Sequence, residues 1–532
     1  MRITLTCLCW FAALSAPVSA MPSTRPNIVV ILADDLGFSD LGCYGGEIDT
    51  PHLDSLAAGG LRYTQFYNTS RCWPTRAALL TGYYAQQVGF DGLPDLPAPR
   101  KRPGWAPLLP TYLKPLGYRS YHSGKWHLDG GQLKGGFDRS YSLDDQDRYF
   151  SPKKHTLDDK RLPQAKRNSG YYATTEIANR AIEFLKEHAE QHEGEPFFEY
   201  VAFTSPHFPL HALPQDIARY EDKYHVGWDE IRLERRERIE KLLHLPAELS
   251  ALEPAIGPPF GFARTHKILG PREVYRETPW SDLNSDQQTF QAAKMSVHAA
   301  MVDRMDQEIG RLIEQLRQMN AFDNTVIFFC TDNGASAEVL VRGDGHDASA
   351  APGSADTFLC LGPGWSRAAN TPFRRHKTWT HEGGISTPFI VHWPAGIAAR
   401  GEVRQAIGHV IDFVPTILKL AGGKWADDYN GKPRPPTPGR DLSVSFASDM
   451  SPKREFLWWL HQGNRAIRAG DWKLVSAGDG PWELYDLKRD RMENHDLAAK
   501  NADKVRELEQ LWSATTREFV DLAKPHADQY SD

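Results

Sequence analysis

One cysteine, one proline and two arginines stand close together in the stretch RCWPTRAALLTG, residues 71–82. A buried structural cysteine usually has apolar neighbours, whereas a reactive cysteine lies beside positive charge and at a helix N-terminus. Pro74 suits the first turn of a helix, because no N–H partner is needed from it there. Cys72 would then lie where free backbone N–H groups favour an anion. The stretch predicts a site that handles negative charge, although C-x-P-x-R alone is not a specific motif.

Two pairs of oxygen donors follow apolar runs elsewhere in the chain. Asp34 and Asp35 end the run NIVVILADD, and Asp332 and Asn333 follow TVIFFCT. Adjacent carboxylates repel one another unless a cation or a shared proton holds them. Oxygen donors without histidine or thiolate favour a hard cation, calcium or magnesium, over zinc. The alternative is that these residues only cap the turns at strand ends.

Four cationic or titratable residues lie in comparable places, Lys125, His127, His207 and Lys377. Each follows an apolar run or stands in a glycine-rich loop. A lone histidine or lysine in such a place is most often a surface or core residue, so none of the four justifies a catalytic role by itself. Their combined meaning depends on whether the fold brings them together.

Apolar runs of strand length alternate with amphipathic, helix-like segments. The runs are residues 27–35, 118–127, 197–207, 325–334 and 385–394. This alternation predicts an α/β fold with a large, mostly parallel central sheet flanked by helices. Ligands of such sheets bind at the carboxyl ends of the strands. Because four of the five runs end in polar residues, we expect the candidate residues to meet at that edge.

The remaining sequence divides the chain into three parts. Residues 1–20 have a basic start, an apolar run and a small-residue cleavage pattern, which predicts a signal peptide and an exported protein, periplasmic or secreted. The Pro- and Gly-rich stretch 430–442 predicts a boundary. Residues 21–440 are expected to form the main domain, and residues 441–532 a small antiparallel sheet with a final helix. The charge-rich segment 228–245 is interpreted as a solvated surface helix.

Composition argues against several classes of protein. A net charge of −6 over 532 residues gives no global case for nucleic acid binding, which needs a strongly basic face. No stretch beyond the signal peptide approaches the ~20 apolar residues of a membrane-spanning helix. The cysteines outside the signal peptide are Cys43, Cys72, Cys330 and Cys360. If Cys72 is chemically used, the others allow at most one disulfide, so the chain is no disulfide scaffold.

Several motifs, taken in order along the chain, give it a resemblance to a known family. NIVVILADDLG, CWPTRAALLTG, GKWH, SPH, TDNG and KTWTHEGG together resemble the type I sulfatases of the alkaline-phosphatase-like superfamily, from residue 26 to about residue 497. The resemblance implies that a formylglycine-generating maturation enzyme converts Cys72 to formylglycine, which acts as its hydrate. It also implies one Ca²⁺ per chain, bound by Asp34, Asp35, Asp332, Asn333 and residue 72. Thr75 replaces the serine that is most frequent in this motif and keeps its hydroxyl.

The same resemblance assigns the other residues to the steps of sulfate monoester hydrolysis. One hydroxyl of the hydrate attacks sulfur and gives a covalent sulfo-enzyme, while Arg76 and Lys125 stabilise the developing charge. His207 and Lys377 bind the sulfate together with Lys125, and one of the two protonates the leaving oxygen. His127 then deprotonates the second hydroxyl, so that sulfate is expelled and the aldehyde is regenerated.

Two other functions are compatible with these residues. One is a phosphonate monoester or phosphodiester hydrolase of the same superfamily, and the other is a non-catalytic exported binding protein. For a sulfatase, the substrate would be a sulfated carbohydrate or an aryl sulfate. Tryptophans near the motifs favour carbohydrate, although most are expected to pack in the core, and they are Trp73, Trp126, Trp379 and Trp393. The run TPFRRHK is expected to place Arg374, Arg375 and His376 unpaired at the pocket rim, where they would attract further sulfates.

Overall fold

The computed structural model describes residues 25–246, 248–257, 263–341 and 345–527. The predicted signal peptide lies outside these residues. The strands of the large central sheet are β1 (Asn27–Ala33), β2 (Leu61–Tyr67), β3 (Arg119–Gly124), β4 (Arg139–Leu143), β5 (His155–Leu157), β6 (Lys160–Arg161), β7 (Phe197–Ala202), β8 (Thr325–Thr331), β9 (Ser386–His392), β10 (Glu402–Arg404) and β11 (Gly408–His409). A hairpin and a small C-terminal sheet follow, formed by β12 (Asp428–Tyr429), β13 (Lys432–Pro433), β14 (Leu457–His461), β15 (Asn464–Ala469), β16 (Trp472–Ser476) and β17 (Glu483–Asp486).

Helices cover the central sheet and close the chain. They are α1 (Pro51–Ala58), α2 (Cys72–Thr81), α3 (Leu109–Leu113), α4 (Ala173–Gln191), α5 (Pro214–Ile217), α6 (Trp228–Leu243), α7 (Ala263–Leu269), α8 (Ser285–Gln318), α9 (Gly362–Ala369), α10 (Glu382–Ile385), α11 (Phe413–Leu420), α12 (Val444–Ala447) and α13 (Ala502–Ala527). The longest of these, α8, begins with a capping box, in which Asn284 and Gln287 each bond to the other's backbone N–H.

The central sheet is mixed and mostly parallel, with the strand order β10-β2-β9-β8-β1-β7-β3-β4-β5-β6 and β11 also paired with β2. At its centre β1 is parallel to both β7 and β8, whereas β9 is antiparallel to β2 and β8. The prediction of a large, mostly parallel sheet flanked by helices is confirmed. Six strands of this sheet were not among the predicted runs: β2 and β4, whose apolar pattern is interrupted by polar residues, and the short strands β5, β6, β10 and β11.

The sheet is buried on both faces, as the uninterrupted apolar runs predicted. Alternate residues of β1 enter two different cores: Val29 and Ile31 pack with α1, α4 and α8. Ile28 and Val30 pack on the other side with α2, α11 and the C-terminal sheet. All four side chains are fully buried. A strand with polar residues on one face could not occupy this position.

The C-terminal sheet is antiparallel, in the order β14-β15-β16-β17, and α13 packs on it, so the predicted small sheet with a final helix is confirmed. It is fastened to the central sheet by buried charges. Glu382, at the start of α10, lies 2.9 Å from Lys473 Nζ and 2.8 Å from Arg491 Nη2. Trp459 of β14 donates its indole N–H to the carbonyl of Asn68 over 2.8 Å. Both contacts lie close in sequence to predicted site residues.

The interpretation of residues 228–245 as a solvated surface helix is wrong for one face of α6. Arg235 is fully buried, lying 2.8 Å from Asp40 and 2.7 Å from Glu47. Trp228 and Ile239 on the same helix are buried as well. The charge pattern could not distinguish this arrangement from a solvated helix, since the two acidic partners stand almost 200 residues earlier in the chain.

Two further expectations concern membranes and disulfides. No helix in the described part of the chain is both long and apolar enough to cross a membrane. Cys43, Cys72, Cys330 and Cys360 are all free and buried. The single disulfide that the sequence allowed is therefore not formed among them.

Candidate active site

Strand ends converge at one edge of the central sheet. Asp34 and Asp35 follow β1, Lys125 follows β3, His207 follows β7 and Asp332 follows β8. These four strands are parallel to one another, so their carboxyl ends share this edge. Because β9 is antiparallel, the turn that precedes it reaches the same place. The predicted convergence therefore occurs, and all five side chains are buried.

The carboxylates of Asp34 and Asp35 each pair with a lysine. Lys125 Nζ lies 2.5 Å from Asp34 Oδ2, and Lys377 Nζ lies 2.8 Å from Asp35 Oδ1. Lys377 comes from the turn before β9. Asn333 donates from Nδ2 to Asp35 Oδ1 over 2.7 Å. The structure thus brings together the residues of two distant predicted pairs and both predicted lysines.

Asp332 and Arg76 are fully buried beside Asp34. Arg76 Nη2 lies 2.8 Å from Asp332 Oδ2 and 3.5 Å from Asp34 Oδ2. Burial and the charge of Asp34 raise the pKa of Asp332 well above its ordinary value. Burial acts in the same direction on Asp34, but Lys125, His207 and Arg76 hold its pKa well below the ordinary value. A further cation would stabilise both groups as carboxylates.

The donor set of the cluster fits a hard cation. Asp34 Oδ1 and Asn333 Oδ1 are buried and, among the described residues, have no hydrogen-bond partner. Two groups of side chains have all their potential ligand atoms within 4.8 Å of one another: Asp34, Asp35 and His207, and Asp34, Cys72 and Asp332. Carboxylate and amide oxygens predominate, which suits calcium or magnesium better than zinc.

Cys72 is the first residue of α2 and is 2% exposed. Pro74 lies in the first turn, as predicted. Thr75 donates its hydroxyl to the carbonyl of Asp332 over 2.6 Å, so it fastens the start of α2 to the end of β8. Burial acts to raise the pKa of the Cys72 thiol, but the charges of the neighbouring lysines lower it overall. The residue therefore lies in the electropositive helix-start environment that the sequence predicted.

His127 stands two residues after Lys125, with its backbone in the left-handed region at φ 59°. Burial, followed by the charges of Lys125 and Arg76, lowers its pKa well below the ordinary value, and Arg100 adds a smaller effect in the same direction. The imidazole is therefore neutral near neutral pH and can accept a proton. Its ring lies 5.7 Å from that of Trp73, the second residue of α2, measured between centroids.

Glu338 is a charged residue of this site that the sequence analysis did not find. Its buried carboxylate lies 2.9 Å from Arg71 Nη1 and 3.5 Å from Lys377 Nζ. Burial acts to raise its pKa, yet these two cations hold it below the ordinary value. Arg71 also donates to Thr378 Oγ1 over 2.9 Å. Glu338 belongs to no motif and stands in the long stretch between the TDNG motif and Lys377, so the sequence carried no signal for it.

The prediction of unpaired cations in the run TPFRRHK is wrong. Arg374 lies 2.7 Å from Glu253 and 2.6 Å from Glu483. Arg375 lies 3.2 Å from Glu253 and is 6% exposed. His376 is paired with a buried glutamate at 3.0 Å. These carboxylates come from distant segments and neutralise Arg374, Arg375 and His376, so these three residues present no free charge to a substrate.

Of the tryptophans near the motifs, some pack in the core and one lies at the candidate site. Trp126 and Trp379 are buried, and Trp393 is partly buried against the core that holds Ile28 and Val30. Trp73 is the member of this group whose ring lies beside a predicted catalytic residue. The guanidinium groups of Arg71 and Arg100 lie over that ring, 5.2 Å and 4.5 Å from its centroid. Two cations thus contact this ring.

The chain is similar to sulfatases over most of its length. Residues 26–423 match the protein family described as Sulfatase, and residues 374–517 match the family described as N-sulphoglucosamine sulphohydrolase, C-terminal. An arylsulfatase of Klebsiella aerogenes is 30% identical over 81% of this chain and 94% of its own length. An N-acetylgalactosamine-6-O-sulfatase of Bacteroides thetaiotaomicron is 27% identical over 92% of this chain and 93% of its own length.

Solved structures agree on the fold. A protein in complex with its substrate D-glucosamine-2-N,6-O-disulfate superposes with a TM-score of 0.63 at 21% identity, covering 94% of this chain and 99% of that one. A complex with a neocarrahexaose gives 0.64 at 23% identity, covering 93% of each chain. The alkaline-phosphatase-like fold predicted from the motifs is thereby confirmed. The match to the Sulfatase family spans about three quarters of this chain. The chain therefore belongs to the sulfatase family and is an enzyme that hydrolyses sulfate esters.

Proposed function

We propose that the chain removes sulfate from a sulfated carbohydrate and that residue 72 acts after conversion of Cys72 to formylglycine. The observation that carries this proposal is the position of Cys72 beside Asp34 and Asp332, with potential ligand atoms within 4.8 Å of one another. Residue 72 thus stands at a helix N-terminus suited to an anion, next to carboxylates that can hold a cation. Once formed, the formylglycine hydrate supplies the attacking hydroxyl.

We propose one Ca²⁺ per chain at the same place. Asp34, Asp35, Asp332 and Asn333 would hold it, with residue 72 as a further ligand. The unpartnered oxygens of Asp34 and Asn333 support this assignment. When bound, the ion supplies Lewis-acid polarisation of the sulfate group and offsets the repulsion between the carboxylates.

The cations around Cys72 have separate tasks in this proposal. Arg76 is fixed by Asp332 and by the carbonyl of Lys125, so it offers a preorganised positive charge below residue 72. Lys125 adds a second charge from the end of β3. Both stabilise negative charge that develops on the group at residue 72, and neither has to reorganise during the reaction.

Proton movements are assigned to the remaining residues. His207 and Lys377 bind the sulfate from the side of Asp35, with His207 Nε2 3.9 Å from Asp35 Oδ2, and one of the two protonates the departing oxygen. His127 removes a proton in the second half of the reaction. This role rests on the GKWH motif and on the position of the ring beside Trp73, while burial and neighbouring cations lower its pKa and leave it unprotonated before the reaction.

The assignment of a carbohydrate substrate is based on the similar proteins and not on the geometry of the site. The C-terminal match is to a family named for sulphoglucosamine, and one relative with near-complete coverage is named for a sulfated N-acetylgalactosamine. We further propose that the protein is exported, periplasmic or secreted, and that a formylglycine-generating maturation enzyme modifies it. Residues 21–440 and 441–532 are the proposed domains.

The test is to produce the protein together with a maturation enzyme and to measure the mass of the peptide that contains residue 72. Aryl sulfates, sugar sulfates, a phosphodiester and a phosphonate monoester are assayed in parallel with calcium present. We expect the formylglycine mass, turnover of sugar sulfates, and no activity in Cys72→Ala. Active enzyme that contains only unmodified cysteine would overturn the proposal, and faster turnover of the phosphorus esters would favour the alternative hydrolase.

A further inference from the structure

We infer that Arg100 binds a second anionic group of the substrate, next to the sulfate ester that is hydrolysed. This inference rests on the proposed function and narrows the substrate to sulfated saccharides that carry another sulfate or a carboxylate. Arg100 has three relevant properties: an unpaired charge, a fixed backbone position and a contact with Trp73, which lies beside the reacting residues.

Arg100 is a cation without an acidic partner in the described part of the chain, unlike Arg374 and Arg375. Arg374 and Arg375 are neutralised by Glu253 and Glu483, and Arg102 on the same loop as Arg100 lies 2.6 Å from Asp129. Arg100 is exposed and, within the part of the chain that the structure describes, forms no ion pair. A single-sign charge beside an anion-binding site attracts further anions.

The position of Arg100 is fixed by backbone and side chain together. Its backbone is in the left-handed region at φ 49°, and its N–H donates to the carbonyl of Gly89 over 2.8 Å. Pro97, Pro99 and Pro103 restrict the loop on either side. A group held in place before binding loses less entropy when a ligand arrives, so its contact contributes more to affinity.

The N–H donors of Arg100 are available to a ligand. Its guanidinium carbon lies 4.5 Å from the centroid of the Trp73 ring, and within the described part of the chain the group donates no side-chain hydrogen bond. The N–H donors of a guanidinium point outward in its plane, in a fork that matches two oxygens of a carboxylate or sulfate. The cation–π contact with Trp73 therefore holds Arg100 beside the site while its donors have no partner among the described residues.

Trp73 connects Arg100 to the reacting residues. It follows Cys72 directly, and its ring centroid lies 5.7 Å from that of His127. The charge of Arg100 also acts on His127, behind the larger effects of burial, Lys125 and Arg76. One aromatic side chain thus links Arg100 to both Cys72 and His127, and we infer that an anionic group elsewhere on the saccharide binds Arg100 while the sulfate ester lies at residue 72.

The test compares matched substrates that differ in one anionic group. One pair is 4-carboxyphenyl sulfate and 4-nitrophenyl sulfate. The other is glucosamine 2-N,6-O-disulfate and N-acetylglucosamine 6-sulfate. The variant is Arg100→Met, which keeps the length of the side chain and removes its charge, and Arg100→Lys tests whether charge alone suffices. Arg272→Met is the control, because Arg272 is also exposed and also contacts an aromatic ring, with its guanidinium carbon 4.8 Å from the centroid of Phe290.

We expect Arg100→Met to lower kcat/KM for the doubly anionic member about fivefold relative to its partner, the range of an exposed charge contact. The control should leave both ratios unchanged, and rising ionic strength should reduce the parent's preference but not the variant's. An effect on one pair only would identify the anion as carboxylate or sulfate. If Arg100→Met keeps the parent's ratios on both pairs, the inference is wrong. If the parent hydrolyses no member of either pair, the proposed function fails and this inference fails with it.

Discussion

Replacing Glu338 by glutamine tests whether a carboxylate outside all the motifs positions the catalytic cations. Its carboxylate lies 2.9 Å from Arg71 Nη1 and 3.5 Å from Lys377 Nζ, and its side chain is 6% exposed. The other carboxylate close to Lys377 in the described chain is Asp35, which is itself a proposed calcium ligand. Glutamine preserves the shape and an acceptor oxygen but removes the charge. We therefore expect a loss of activity in a protein that still folds.

The size of the loss follows from these distances. At the 3.5 Å between Glu338 and Lys377, unit charges attract by about 5 kcal/mol at an effective dielectric constant of ~20. Breaking a buried ion pair costs about 3–5 kcal/mol after solvation is included. Asp35 still holds Lys377 and glutamine still accepts a hydrogen bond from Arg71, so we assign about 2 kcal/mol to lost transition-state stabilisation. That corresponds to a fall in kcat/KM of about 30-fold.

The matched control breaks a comparable Arg–Glu pair away from the substrate. The side chain of Glu47 is 7% exposed and lies 2.7 Å from Arg235 Nε, and neither residue is proposed to act on substrate. Steady-state kinetics and thermal unfolding are measured for both variants. Glu47→Gln should lose stability and keep kcat/KM within about twofold, whereas Glu338→Asp should recover part of the activity lost in Glu338→Gln. Equal kcat/KM values for Glu338→Gln and Glu47→Gln would refute the positioning role.

Three further predictions concern the metal, the second half-reaction and the C-terminal sheet. Chelation of the metal should abolish activity, and added Ca²⁺ should restore it. In Asp35→Asn, added Ca²⁺ should not restore activity. Full activity in protein that elemental analysis shows to be metal-free would contradict the ligand assignment. His127→Ala should give a burst of alcohol product followed by slow sulfate release in stopped-flow traces, and an equal slowing of both phases would contradict its role as the second base. Burial acts to raise the pKa of Glu382, but Lys473 and Arg491 hold it below its ordinary value of 4.5. Its pairing therefore stabilises the fold above that pH and loses effect as the pH falls. Glu382→Gln should lower the unfolding temperature at pH 7 by more than it does at pH 4, and a pH-independent difference would contradict this.

The sheet and the convergence of the site could be predicted because both follow from local patterns. Uninterrupted apolar runs such as residues 27–33 mark strands buried on both faces, and parallel strands end at a common edge. The polar residues after each run were therefore expected to meet, and Asp34, Lys125 and Asp332 do meet. Helix starts were equally readable, as Pro74 in the first turn of α2 illustrates.

Ion pairs between charged residues that are distant in the chain could not be predicted from the sequence. Arg374 and Arg375 look like free cations until Glu253 and Glu483 are placed beside them. Arg235 looks solvated until Asp40 and Glu47 are known to surround it. In each case the sign and number of charges were visible, but burial and partner choice depend on tertiary packing. Glu338 was missed for the same reason.

The direction of β9 makes the C-terminal sheet part of the support for the active site. Because β9 is antiparallel to its neighbours, Lys377 has to reach the site from the turn before the strand. That turn holds Thr378 at φ 87°, a conformation that a β-branched residue adopts only when its surroundings impose it. Arg71 donates to the Thr378 hydroxyl, and Asn464 of β15 donates to the Thr378 carbonyl over 3.2 Å. The strained residue next to Lys377 is therefore held from one side by the residue before Cys72 and from the other by the C-terminal sheet. The sheet at the end of the chain thus helps to position Lys377, the proposed sulfate-binding residue.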